Sequence, residues 1–301
     1  MKPAHGLLAA ALAALALAAP AAAQEGALKK IKDTGSITLG HRDASIPLSY
    51  YDDKQKPVGY AVELCLKIVD AVKAELKMPK IDVKYQLVTS ANRIPLMANG
   101  TIDLECGSTT NNLERQQQVW FAITHFVTAN KFVAKRSAKL SKLEDLKGKT
   151  VVSTAGTTNI KQLTQLNAEK NLGVSIVSAN GHSEAFQMVE SGRAAAFVMD
   201  DILLFGLVAN SKNPKDFAIS QEALSVEPYG IMLRKDDAAF KKVVDAAMIK
   251  HYKSPEAAKL YAKWFQRPIP PRNINLNVPM SAQLKKVMAS PTSSGDPKDY
   301  Q

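Results

Sequence analysis

The sequence predicts an α/β protein divided into two lobes. Strand-like and helix-like segments alternate along almost the whole chain, the pattern of sheets with helices on their faces. The chain that remains after an N-terminal leader is longer than one hydrophobic core usually organises. Each apolar strand also ends in a short run of polar or charged residues, as strands do when their carboxyl ends border a ligand crevice.

The leader comes first. Lys2 precedes an unbroken apolar run of 13 residues, Leu7 to Ala19, and small residues come next in Pro20-Ala21-Ala22-Ala23. So short a run does not span a bilayer comfortably. Its flanks read as a signal peptide over residues 1–23, cleaved after Ala23, leaving 278 of the 301 residues. No cysteine stands at the cleavage point, and no later apolar run is long enough to cross a membrane. A soluble protein exported to a bacterial periplasm is expected. Lys and Arg number 39 against 28 Asp and Glu, a formal net charge of +11. The lysines are scattered rather than blocked, and export argues against a nucleic-acid partner, so the charge suggests a bias towards small acidic molecules. Cys65 and Cys106 are the two cysteines. In an oxidising compartment they are candidates for a disulfide, and helix-on-sheet packing can bring them together.

Strands are expected over 36–40, 82–88, 102–106, 131–135, 150–153, 174–177, 194–199 and 228–233. Helices are expected over 61–77, from about 94 to a stop at Asn99-Gly100, and over 158–170, 183–191, 201–210, 237–250 and 255–265. Leu64, Ile68, Val72 and Leu76 fall near helical spacing, and Asn112 is placed to cap a further helix. The Pro268 to Pro271 cluster interrupts the pattern before a short helix near 281–288. The last dozen residues, rich in Ser, Pro, Gly and Asp, read as a flexible tail.

The strand ends carry the chemistry. The first strand leads into His41-Arg42. The second leads into Thr89-Ser90-Ala91-Asn92-Arg93, and the third into Glu105 to Arg115. In the second half the strand ends lead into Gly156-Thr157-Thr158, Gly181-His182-Ser183 and Asp200-Asp201. One rim therefore collects Arg42, Arg93 and Arg115, the titratable His182, the carboxylate of Asp200 and hydroxyls that include Ser90, Ser108, Thr110, Thr157 and Thr158. Three arginines on one cleft repel one another unless an anion lies between them. A ligand with two negative charges and one positive charge suits this set, and an acidic amino acid has both. Glu105 to Arg115 contains no nucleophile-and-base pair. A Ser108–His182–Asp200 triad lacks the G-x-S-x-G elbow that would present its serine.

These residues carry a resemblance. Gly40-His41-Arg42 with Ser49-Tyr50-Tyr51-Asp52, Thr89-Ser90 with Asn92-Arg93-Ile94-Pro95-Leu96, Glu105 to Arg115, Leu146-Lys147-Gly148-Lys149, Gly156-Thr157-Thr158, Glu190 to Ala194, Met199-Asp200-Asp201, Tyr229-Gly230, Met232 to Asp237 and Ile269-Pro270-Pro271 stand in an order similar to that of the periplasmic amino-acid-binding proteins of ABC importers. This is solute-binding protein family 3, and the chain resembles its glutamate/aspartate-binding members most. The resemblance covers nearly the whole chain after the leader and departs from the family at Ala155.

It implies the type II periplasmic binding protein fold, two lobes joined by two hinge strands. Lobe 1 would be 27–129 with 226–280, lobe 2 would be 130–225, and 281–301 would form the C-terminal helix and flexible tail. Arg115, Thr110 and Thr158 would bind the ligand α-carboxylate, with Thr157 alongside. Asp200 and Ser108 would bind the α-ammonium. Arg42, Ser90, Arg93 and His182 would bind the side-chain carboxylate. The implied partners are L-glutamate or L-aspartate and an inner-membrane ABC permease, for a monomer with no cofactor, no metal and no catalytic residue. An enzyme on the same fold, such as a periplasmic cyclohexadienyl dehydratase, is the alternative, but it would need a spare acid near the ligand.

Overall fold

The computed structural model describes residues 26–301. The signal peptide expected over residues 1–23 lies outside the described residues. Lobe 1 begins with α1 (Ala27–Thr34), β1 (Ser36–His41), the short strands β2 (Ala44–Ser45), β3 (Ser49–Tyr51) and β4 (Pro57–Val58), and α2 (Tyr60–Leu76). It continues through β5 (Asp82–Leu87), α3 (Arg93–Ala98), β6 (Leu104–Glu105), α4 (Leu113–Gln116) and β7 (Val119–Phe121). The long β8 (Phe126–Lys135) carries the chain into lobe 2, which adds β9 (Thr150–Thr154), α5 (Thr158–Glu169), β10 (Ser175–Ala179), α6 (His182–Glu190), β11 (Ala196–Asp200), α7 (Asp201–Ala209) and β12 (Phe217–Ile219). Then β13 (Ser225–Tyr229) returns, and β14 (Met232–Arg234), α8 (Ala238–Tyr252), α9 (Pro255–Phe265) and α10 (Ala282–Ala289) complete lobe 1.

The lobe 1 sheet has the order β5-β1-β6-β14-β7, and the lobe 2 sheet the order β10-β9-β11-β8-β12 with β13 also paired to β8. The β1–β5, β1–β6, β9–β10 and β9–β11 pairs are parallel. Parallel strands are covered on both faces, so they are apolar at successive positions. Lobe 2 shows this directly. Val151, Ala196 and Val198 enter one core cluster, while Val152, Phe197 and Met199 enter the other. Each large apolar side chain so buried contributes about 1.5–3 kcal/mol.

Two antiparallel strands join the lobes. The β8–β13 register runs from Phe126↔Tyr229 to Asn130↔Ser225. The single strand expected over 228–233 is therefore two strands in two sheets. The break falls at Gly230-Ile231, where the chain leaves β8 and Gly230 N–H instead donates to Thr109 O at 3.1 Å. The N-terminal half of β8 is likewise not expected as strand, because Thr128-Ala129-Asn130 has no apolar alternation.

A disulfide joins Cys65 on α2 to Cys106 just after β6, closing a 41-residue separation. The flexible tail expected at the C-terminus is corrected by the structure. Tyr300 is 1% exposed, and its hydroxyl meets Thr124 Oγ1 at 2.7 Å. Thr124 N–H donates to Thr292 O at 2.9 Å, and Asn111 Nδ2 donates to the carbonyls of Ser293 and Ser294 at 2.9 and 3.0 Å. One buried aromatic ring and a row of backbone acceptors hold a segment whose composition alone shows no apolar period.

Candidate functional site

The parallel strands of both lobes end facing each other, and the polar strand ends close on a narrow cavity. Eight of the ten expected residues line it: Ser90, Arg93, Ser108, Thr110, Thr157, Thr158, His182 and Asp200. The other two, Arg42 and Arg115, stand behind it and at its edge.

Lobe 1 supplies the arginines. Arg93 opens α3, and its Nη1 reaches only Ser108 O at 3.4 Å, while Nε has no partner. Arg42, 1% exposed, donates from Nε to Val88 O and from Nη2 to Ser90 Oγ, both at 3.0 Å, and its Nη1 is unpartnered. Arg42 thus meets the cavity through Ser90. Arg115 lies on α4, capped by Asn112, which accepts from Arg115 N–H at 2.8 Å. Its guanidinium donates to Thr110 O at 2.8 Å and, across the cleft, to Gly156 O at 3.2 Å. Gly156 has φ +73°, and a Cβ there would lie 2.6 Å from Ala91 Cα, so the lobes meet at this point only because the residue is glycine.

Lobe 2 supplies helix N-termini and the acid. Thr157 caps α5, accepting from Ile160 N–H and donating to Thr154 O at 2.7 Å, so its hydroxyl is already committed. Thr158 Oγ1 faces Thr110 Oγ1 across the cleft at 3.4 Å. His182 begins α6. Its Nε2 lies 3.4 Å from Arg42 Nη2, which can only donate, so the hydrogen belongs on Nδ1 and points to Thr154 Oγ1 at 2.9 Å. Both ring nitrogens are occupied, and His182 orients Arg42 rather than offering a free donor. Ser108 Oγ pairs with Ser45 Oγ at 3.3 Å, so no Ser–His–Asp relay exists.

Asp200 occupies the N-cap position of α7 but does not cap it. Its Oδ1 accepts from Asn159 Nδ2 at 2.7 Å, and its Oδ2 accepts from the Tyr229 hydroxyl. The sequence reading gave no site role to Asn159, Tyr229 or Glu227, although Tyr229-Gly230 is among the segments that carry the resemblance. Glu227, 1% exposed on β13, accepts from Thr158 Oγ1 at 3.0 Å and Gln162 Nε2 at 2.7 Å. An acid between Val226 and Pro228 was the available signal.

Burial dominates the electrostatics. It lowers Arg42 and Arg115 to about 10, with neighbouring Arg93 adding to the effect, and it lowers Arg93 as well. His182 is pushed well below its ordinary value by burial and then by Arg42 and Arg93, which keeps it neutral. Asp200 is pushed up to about 7 by burial and by Glu227. Among the described residues, none of the three arginines has a carboxylate within ion-pair distance. The buried Glu105 acts favourably on all three from beyond contact distance, but a buried guanidinium with no carboxylate in contact is still costly, and a ligand carboxylate offsets that cost.

Two α/β lobes on crossing strands, shut over a polar cavity, define a clamshell binding protein for a small charged solute. Residues 37–267 match the bacterial extracellular solute-binding proteins, family 3, and the chain belongs to that family. It is 54% identical over 295 residues, 97% of this chain and 98% of the other, to the L-glutamate/L-aspartate-binding protein of Pseudomonas aeruginosa. It is 47% identical over 292 residues, 96% and 97% of the two chains, to the glutamate/aspartate import solute-binding protein of Escherichia coli K12. The crystal structure of a mutant of ArgBP from T. maritima superposes with a TM-score of 0.71 at 27% identity, covering 79% of this chain and 99% of that one. The fold is the two-lobed type II arrangement that the resemblance implied, and the chain is a solute-binding protein rather than an enzyme.

Proposed function

We propose that this protein captures L-glutamate and L-aspartate in the periplasm by closing its lobes, and delivers them to the permease of an ABC importer. Arg93 carries the reading. It is 2% exposed, has one long hydrogen bond and no carboxylate partner, and shares its cavity with Asp200. A cation that needs an anion and an acid that can take an ammonium match the two ends of an acidic amino acid.

In this reading the α-carboxylate sits between Arg115, Thr110 and the backbone N–H of Thr158 at the start of α5, whose dipole adds to the attraction. The α-ammonium takes Asp200 and Ser108. The side-chain carboxylate takes Arg93 and Ser90, with Arg42 strengthening the Ser90 hydroxyl as a donor and His182 holding Arg42 in place. Lobe 1 supplies the arginines and lobe 2 supplies Thr158 and Asp200, so only the closed state makes all the contacts and ligand favours it. Residues 1–23 act as the export signal. The relatives named for glutamate and aspartate binding and import support this assignment.

Titration calorimetry with L-glutamate, L-aspartate and L-glutamine tests it. Heat with the two acidic amino acids is expected. Its absence with both refutes the assignment.

A further inference from the structure

We infer that Tyr229 is a positioning residue for ammonium recognition: its hydroxyl orients Asp200 and steadies the carboxylate form that the ligand's ammonium meets. The inference rests on the α-ammonium being bound at Asp200, as proposed above. Tyr229 lies on the returning hinge strand β13, outside every strand end from which the site is otherwise built.

Its placement is over-determined. The ring is 0% exposed and packs between His125 and Phe126, with centroids 6.3 and 6.2 Å away. Its carbonyl accepts from His125 N–H at 2.9 Å, and its backbone bridges to Thr110 of the lobe 1 motif. From this fixed base the hydroxyl donates to Asp200 Oδ2, while Asn159 holds Oδ1. A residue attached by its backbone to the α-carboxylate half of the site thus sets the geometry of the α-ammonium half.

The groups acting on Asp200 give the hydroxyl its task. Glu227 and Asp201 are neighbouring acids that oppose ionisation. Arg93 and Arg115, across the cleft, are the cations whose charges interact with it. Asn159 and Tyr229 are its two donors, and a donor to a carboxylate favours the charged form. Burial and the nearby carboxylates hold Tyr229 itself far above its ordinary value, so it stays a donor throughout the working range. A tyrosine that merely filled space would have no effect on when Asp200 loses its proton.

Tyr229→Phe keeps the ring and removes only the donor. In the free protein, carboxyl carbon-13 titration with Asp200→Asn as the assignment control reports the Asp200 midpoint. The substitution moves it upward by about one pH unit. L-Glutamate affinity then falls about tenfold at about pH 6 and not at all near about pH 9. An unmoved midpoint, or a loss of equal size at every pH, overturns the inference. If the midpoint moves but wild-type protein takes up neither L-glutamate nor L-aspartate, the ligand assignment fails while the Tyr229–Asp200 coupling stands.

Discussion

Gly206 on α7 of lobe 2 lies against the backbone of Ile46 in lobe 1, so closely that a Cβ there would stand 2.4 Å from the Ile46 carbonyl oxygen. With Gly156 against Ala91, this is a second place where closure depends on a missing side chain. Gly206 is inside a helix, where alanine is the better residue by about 1 kcal/mol. Gly206→Ala therefore acts in opposite directions on the two states. It strengthens α7 when the lobes are apart and obstructs their contact when they close. Overpacking costs about 1–3 kcal/mol, so affinity for L-glutamate should fall roughly fivefold to a hundredfold while the free protein's unfolding midpoint holds or rises. Calorimetry and thermal unfolding of the same variant check both signs.

The three arginines should separate by role. Arg115 contacts Thr110 and Gly156, next to the part shared by all amino acids, and Arg93 faces the cavity without a carboxylate partner. Arg115→Ala should abolish binding of every amino acid. Arg93→Ala should cost the acidic ligands most, about 2–5 kcal/mol for a buried charge pair that loses one member. Calorimetry with L-glutamate and L-glutamine on each variant measures the difference. Wild-type affinity for L-glutamate in both variants would show that the residue roles are misassigned.

The parts of this arrangement that sequence could reveal are those with local periodicity. Val151, Val152 and the Phe197–Met199 run mark central strands, and Thr157-Thr158 and Gly181-His182 mark the helix starts that come after them. Eight cavity residues were legible because they sit where such strands end. Tyr229 and Glu227 were not, because they lie on a hinge strand whose register is set by pairing with β8, about a hundred residues away in sequence. Whether Arg42 faces the ligand or stands behind Ser90 is also a matter of tertiary packing. So is the docking of Tyr300, a single ring in a polar tail.

Asp200 makes binding pH-dependent. Its ordinary value is 3.8 and the fold raises it to about 7. A folded-state value above the unfolded one means the free protein holds a proton that the unfolded chain has lost. This contribution to stability is complete below about pH 4 and fades as pH rises through about 7. An ammonium beside Asp200 favours the carboxylate, so binding expels that proton. Below about pH 7 L-glutamate uptake should release up to one proton, and affinity should rise with pH until it levels off above that value. Calorimetry in two buffers of different ionisation enthalpy reads the proton count directly. A count of zero at about pH 6 contradicts the coupling.

The C-terminal tail should matter to the site as well as to stability. Asn111, beside Thr110 in the binding motif, gives both side-chain N–H groups to Ser293 and Ser294, while its Oδ1 accepts from Gln116 at 2.9 Å. Tyr300 anchors the same segment through Thr124. Tyr300→Ala removes the anchor and should cost about 3 kcal/mol, as truncating a buried aromatic does. Deletion of residues 290–301 goes further, because it leaves the Asn111 donors without protein acceptors and frees the loop that positions Thr110 and Arg115. Denaturant unfolding should show a lower midpoint for both variants, the deletion lower than Tyr300→Ala. L-Glutamate affinity should fall mainly in the deletion. If the deletion binds as tightly as the full chain, the tail braces lobe 1 without reaching the site.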